Sequence, residues 1–260
     1  MDLLKTPGKH SKLSELAYIV LNVGLVIILL VMVLSVQNIW LPIGLVLLSK
    51  WRVFAVRPRY WPANILSNLI DTTVGVGHVI LLGAAQGNLW LQVGQSVGYA
   101  VWLLLIKPRS KRQFVSAQAL AALFVGTAAL SMVAYEASAI VYVIAMWVLG
   151  YVCARHILIA YEPGLTGLLS LVGALICAEF GWLGYQWMFA YQMPGSEHLR
   201  LVQLAFIVTS IGYVFERALA SYHKHQRIAQ ADMVMPIIFS ASLIAVLLIF
   251  FNRLGVGGVL

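Results

Sequence analysis

Residues 17–36, AYIVLNVGLVIILLVMVLSV, form an uncharged run of 20 residues. At about 1.5 Å of rise per residue, such a run spans about 30 Å as a helix, the thickness of a bilayer's hydrocarbon core. It is longer than the apolar core of a signal peptide. Gln37-Asn38-Ile39 follows it with no small-x-small cleavage site, so the segment is expected to remain as an anchor.

Working outward, the same reading gives nine expected spans, at 16–36, 38–56, 63–84, 89–106, 114–134, 138–158, 165–190, 199–216 and 233–252. The composition agrees: 62% hydrophobic against 10% charged residues is too apolar for a water-soluble globule. The expected fold is all-α, a polytopic helical membrane protein forming one transmembrane domain over 1–260 with no soluble domain. Outward loops near Gln37-Asn38, 85–88 and 135–138 are so short that successive helices must form antiparallel hairpins.

The net charge of +8 suggests nucleic acid until the cations are placed. On this map Lys5, Lys9, Lys12, Lys50, Arg52, Arg57, Arg59, Lys107, Arg109, Lys111, Arg112, Arg155, Arg217, Lys224 and Arg227 share one side, and only Arg200 and Arg253 lie opposite. The positive-inside rule then makes the N-terminus cytoplasmic, and an odd span count places the tail 255–260 outside, as expected in a plasma (cell inner) membrane. Lys50, Arg52, Arg57, Arg59, Lys107, Arg109, Lys111 and Arg112 are expected to contact anionic lipid headgroups, and nucleic acid is not an expected partner. Trp40 and Trp90 fall near the outer interface, Trp51 and Trp61 near the inner one. The basic stretch 216–232 reads as a cytoplasmic extension of the eighth helix.

An internal echo accompanies this pattern. Asn38-Ile39-Trp40-Leu41-Pro42-Ile43-Gly44 is matched fifty residues later by Asn88-Leu89-Trp90-Leu91-Gln92-Val93-Gly94, and Arg57-Pro58-Arg59 keeps that offset to Lys107-Pro108-Arg109. Either hairpins 16–59 and 63–109 are a duplication related by an axis along the membrane normal, or interfacial tryptophan and basic proline loops converged.

Two carboxylates, Asp71 and Glu179, fall deep in apolar spans, where an acid is costly enough to be a functional candidate. At about 100° per residue, Asn64, Asn68, Asp71, Gly75 and His78 share one helical face, which cannot be turned to lipid. Counted from the outer helix ends, Asp71 and Glu179 have similar depth, so a shared cavity is expected in which one of them holds a proton. His78 is level with Gln95, and Tyr185 and Gln186 are near that depth. The expected transport route therefore comprises Asp71, His78, Glu179, Asn64, Asn68 and Gln95. The bland alternative is that these groups are interhelical glue. Gly94-Gln95-Ser96-Val97-Gly98 has the small-xxx-small spacing of a tight helix contact. Arg155 and His156 are expected to close the sixth helix at its cytoplasmic end.

Phosphate-loop, HExxH, CxxC and CxxCH motifs are absent from the sequence, and Cys153 and Cys177, inside apolar segments, read as small core residues. No catalytic residue, metal or cofactor is expected. Three classes remain: a transport or permeation protein coupled to a proton or cation, with a small solute or ion as substrate; a non-catalytic subunit or scaffold of a larger membrane complex; and an intramembrane lipid-modifying enzyme. Homo-oligomerisation and a membrane partner are both left open.

Overall fold

A computed structural model of the protein describes residues 12–36, 38–133, 138–161, 164–187, 189–196 and 198–250. Lys5, Lys9, Gln37, Glu136, Glu162, Pro163, Glu197, Arg253 and the tail 255–260 lie outside the described residues, as do the side chains of Lys12, Leu13, Arg52 and Ala63. The described chain forms α1 (Lys12–Ser35), α2 (Trp40–Leu48), α3 (Trp61–Ala84), α4 (Leu89–Val101), α5 (Arg112–Val133), α6 (Ala139–Tyr161), α7 (Thr166–Gln186), α8 (Gln203–His225) and α9 (Gln230–Phe250). Between α7 and α8, β1 (Ala190–Gln192) and β2 (Arg200–Val202) pair antiparallel, with Tyr191 opposite Leu201.

Among the described residues, eight helices, all except α2, are long and apolar enough to cross a membrane. The chain is a multi-pass helical membrane protein. Its large apolar side chains point outward, as on α9 with Met235, Phe239, Ile249 and Phe250 exposed, while α5 buries Ala119, Ala122, Ala128 and Ala129. Lipid is as apolar as leucine, so helices gain by close packing rather than by hiding apolar surface, and small residues mark the seams. At the α6–α7 seam a Cβ on Gly150 would stand 2.5 Å from Cys177 Cβ, and one on Gly173 would stand 2.7 Å from Ala154 Cβ. Cys153 and Cys177 are free, buried thiols.

The expected continuous helix over 38–56 is not there. α2 stops after nine residues and gives way to 3₁₀ turns at Trp51–Val53 and Pro58–Tyr60. Nine residues make about 14 Å of helix, half a bilayer. The segment nevertheless runs back along the bundle, because α1 and α3 end side by side: Gln86 Nε2, just beyond α3, donates to the Val33 carbonyl near the end of α1 at 3.4 Å. α1 packs on α4 while α2 packs on α3.

At the end where α3 stops and α4 starts, Asn88 caps α4 by accepting from Leu91 N–H at 3.0 Å and donates Nδ2 to the Gly195 carbonyl at 3.0 Å. Gly195 has φ +80°, and a Cβ there would lie 2.5 Å from Asn88 Nδ2, so both turn and contact require glycine. At the opposite end α8 continues past 216 to His225 and stops there, short of the expected extension to 232. Arg155 and His156 do not close α6, which runs on to Tyr161; His156 Nε2 instead lies 3.0 Å from Gln118 Oε1. The Gly94/Gly98 pair is likewise not a packing seam: both are exposed on the outer face of α4, and a Cβ at either position would meet nothing within 4 Å.

Candidate functional site: an ion-paired carboxylate at the foot of a polar column

α4 does not end as a regular helix. Residues Trp102–Ile106 form a π turn in which Lys107 N–H reaches back five residues to the Trp102 carbonyl at 2.8 Å. The next carbonyl, Leu103, would need a donor from position 108, and Pro108 has none. The Tyr18 hydroxyl of α1 supplies it at 2.7 Å. Gln118 of α5 caps the same end, its Nε2 donating to the carbonyls of Ile106 at 2.8 Å, Lys107 at 3.3 Å and Arg109 at 3.0 Å. The widened turn and its caps fix Trp102 and Lys107 against α3. Such π turns recur at functional positions.

Asp71 lies at this place, buried at 7% exposure. Its Oδ2 receives the Lys50 ammonium and, at 2.8 Å, the Lys107 ammonium; the Trp102 indole N–H lies 3.4 Å from Oδ1. Lys50 comes from the turn that ends α2, so the interruption of the second span carries a cation to the buried acid. Two ammoniums and one carboxylate leave one excess positive charge.

Above Asp71 on the same face of α3, Gly75 admits the Tyr99 hydroxyl of α4: a Cβ at 75 would sit 2.9 Å from Tyr99 Oη. His78, one turn further, stacks on the Tyr99 ring at 4.4 Å between centroids, with 18° between planes. Tyr99 Oη, His78 Nε2, Gln95 Oε1 and Ser96 Oγ are buried without hydrogen-bond partners among the described residues. Gln92 continues the column, its Nε2 donating to the Leu82 carbonyl at 3.1 Å. Buried unpaired polar atoms are rare in folded proteins, and four of them fall on the facing stretches of α3 and α4.

Of the expected route, Asp71 and His78 share the α3 face that meets Tyr99 and Trp102 of α4, and Gln95 stands one helical turn from Tyr99 on α4. Asn64 and Asn68 are half-buried on the approach, and the Asn68 amide is bonded at home, Nδ2 donating to the Asn64 carbonyl at 2.9 Å. Glu179 does not join them. It is exposed on α7, which packs chiefly on α6, whereas α3 packs chiefly on α5. Matched depth did not imply a matched face, and a proton shared between Asp71 and Glu179 is excluded by this separation.

The headgroup expectation is also corrected for two cations, since Lys50 and Lys107 turn inward to Asp71. Among the others, the Arg59 and Arg109 guanidiniums lie over the rings of Tyr60 and Phe114, at 4.6 and 4.5 Å. Arg112 Nε donates to the Ala160 carbonyl at 3.0 Å, while Arg57 and Lys111 are exposed.

One buried acid escaped the sequence reading. Glu216 of α8 is 1% exposed and accepts from Ser116 Oγ at 2.8 Å, Tyr161 Oη at 2.7 Å and both Nε and Nη2 of Arg217, at 2.5 and 2.8 Å. It heads a basic stretch, which made it look solvated. The only hint was the apolar flank 211–215. Among the described residues no group of three or more His, Cys, Asp and Glu is placed to hold a metal ion. No family model, curated protein or solved structure matches the chain.

Proposed function

We propose that this protein carries a small anionic solute across the plasma membrane together with a proton, using the Asp71–Lys50–Lys107 group as its charge switch. The observation that supports this most is the placement of one carboxylate between two ammoniums at the foot of a buried polar column. With Asp71 ionised, both lysines are engaged. A proton taken up by Asp71 releases the two ammoniums, which then hold the carboxylate or phosphate of a solute, and loss of that proton on the far side expels the anion. A metal cation is a poor coupling ion here, because two ammoniums repel it. His78, Tyr99, Gln95 and Ser96 supply polar contacts along the way.

The N-terminus is cytoplasmic and the C-terminus outside in this reading, with the segment 38–60 as a ninth, partly irregular crossing. Irregular backbone at membrane depth is tolerated where protein covers it, and discontinuous helices are common at transporter binding sites. The reciprocal packing of α1 on α4 and α2 on α3 is what two hairpins related by a parallel repeat would give.

The test is flux in proteoliposomes under an imposed pH gradient, with a panel of small carboxylates and phosphates. Wild-type protein is expected to take up at least one of them with proton movement. The paired substitution Lys50→Gln with Asp71→Asn, which retains one ammonium and removes the ionisable carboxyl, is expected to lose coupling while remaining monodisperse. Proton-coupled uptake that survives in the pair would defeat the switch.

One observation favours a second reading, a subunit of a larger membrane complex. Glu179 sits among exposed Leu175, Ile176, Trp182 and Leu183 on α7, where an acid facing lipid is unfavourable and a partner helix would cover it. Co-purification of a stoichiometric membrane protein that is lost on Glu179→Leu would establish it, and a monomer active in flux would remove it.

A further inference from the structure

A cavity of about 460 Å³ lies among α5, α6, α7, α8 and α9, within the range of pockets that enclose a ligand. Its wall is apolar apart from Ser240 and the two thiols, and the Ser240 hydroxyl already donates to the Ser210 carbonyl at 3.2 Å. α7 packs chiefly on α6 and α9 on α8, so the wall is open on the side between α7 and α9. The wall residues Val172 and Ile176 of α7 and Ile237 and Ala241 of α9 are exposed there. In a bilayer this opening faces hydrocarbon.

The cavity's other end meets the Glu216 cluster. Three of its wall residues, Ala119, Ile157 and Gly212, lie three or four positions from Ser116, Tyr161 and Glu216, one helical turn in each case. Around that cluster stand two guanidiniums: Arg217, bonded to Glu216, and Arg112, whose charge lies 5.7 Å from the Tyr161 ring centroid. The oxygens of Glu216 are taken by Ser116, Tyr161 and Arg217, and among the described residues no carboxylate pairs with Arg112. His223 packs edge-on against Tyr161 at 5.8 Å. An apolar cavity opening sideways to lipid, with a guanidinium that no described carboxylate pairs standing beyond one end of it, calls for a long apolar chain with an anionic head.

We infer that the cavity among α5–α9 holds one acyl chain of an anionic glycerophospholipid from the leaflet at the Arg112 end, with its phosphate on the Arg112 guanidinium. This site uses none of the groups of the transport proposal and stands without it. The lipid fills the apolar space between these helices, and it ties α9, which packs chiefly on α8, to the body of the bundle.

The full-length protein in nanodiscs is photolabelled with two probes carrying the same diazirine acyl chain, a phosphatidylglycerol and a phosphatidylcholine, and the labelled peptides are sequenced. Labelling is expected on α7 and α9 inside the cavity, with the anionic probe preferred roughly fivefold, the effect of about one cation at a headgroup. Arg112→Gln is expected to abolish that preference while leaving cavity labelling by the neutral probe. Ala241→Trp, or Ile176→Trp if the first does not fold, is expected to fill the cavity and suppress labelling by both probes. Equal labelling by the two probes in the wild type overturns the headgroup assignment. Labelling that is unchanged when the cavity is filled, or that spreads evenly over the outer faces of all helices, overturns the site.

Discussion

Lys107 Nζ lies 2.8 Å from Asp71 Oδ2, and Lys50 reaches the same oxygen from the opposite hairpin. A single carboxylate thus joins α3 to the broken end of α2 and to the π turn that closes α4. Removing it leaves the nearly enclosed Lys50 ammonium facing the partly exposed Lys107, and an uncompensated buried charge costs about 3–5 kcal/mol.

Asp71→Ala is therefore expected to lower stability by an amount of that order, about 3–5 kcal/mol, whereas Lys107→Ala costs less because Lys50 remains as partner. Thermal unfolding in one detergent, monitored by Trp fluorescence, compares the two. A Lys107→Ala variant less stable than Asp71→Ala would show that Lys107 matters mainly for something other than this pair.

Glu216→Ala strands the Ser116 and Tyr161 hydroxyls, each of which currently donates to it. A loss of about 1–3 kcal/mol is expected from unsatisfied buried donors, and Glu216→Gln, which keeps an acceptor, is expected to lose less. Arg217 adds little to the difference, because its side chain is 37% exposed and solvent screens it. Equal unfolding temperatures for Glu216→Ala and wild type would mean the cluster is not structural.

Two glycines on different faces should behave oppositely. A methyl at Gly150 meets Cys177 Cβ at 2.5 Å and the Gly173 carbonyl at 2.9 Å, so Gly150→Ala forces α6 from α7 and costs about 1–3 kcal/mol. Gly94→Ala meets nothing within 4 Å and, in a helix interior, is expected to be neutral or stabilising by about 1 kcal/mol. Paired thermal melts decide between these expectations.

Orientation can be read with a membrane-impermeant maleimide, since both native thiols are buried and give low background. Pro194→Cys, exposed in the hairpin between α7 and α8, is expected to react in intact cells, and Lys111→Cys, exposed before α5, only in inverted vesicles. The reverse pattern would place the cation-rich side outside and refute the orientation.

How much of this was readable beforehand depends on the kind of information involved. Long uncharged runs declare themselves by composition, so eight helices fall close to their expected ranges. The second span failed for a reason present in its own residues. Lys50 and Arg52 interrupt its apolar run, and Lys50 turns inward to Asp71. The stripe on α3 was legible as a stripe, because helical periodicity is local, and His78 and Asp71 do share the inner face. Glu179 was misplaced because depth can be counted along one chain whereas facing depends on neighbours. Glu216 was overlooked for the converse reason: it stands beside Arg217 in a polar stretch, and the groups that bury it, Ser116 of α5 and Tyr161 of α6, are 100 and 55 positions away in sequence.

By itself the amino-acid sequence determined that this chain belongs in a bilayer, roughly where eight of its helices run, and which face of α3 turns inward. Those properties follow from hydropathy and the 3.6-residue period, which act locally. Only the tertiary structure decided that Lys50 and Lys107 meet at Asp71, that Glu179 looks outward, that Glu216 is buried, and that five helices line an apolar cavity open on one side. In lipid no hydrophobic effect sorts one apolar face from another, so helix partners are chosen by shape and by scattered polar pairs, information that exists only once the helices are packed.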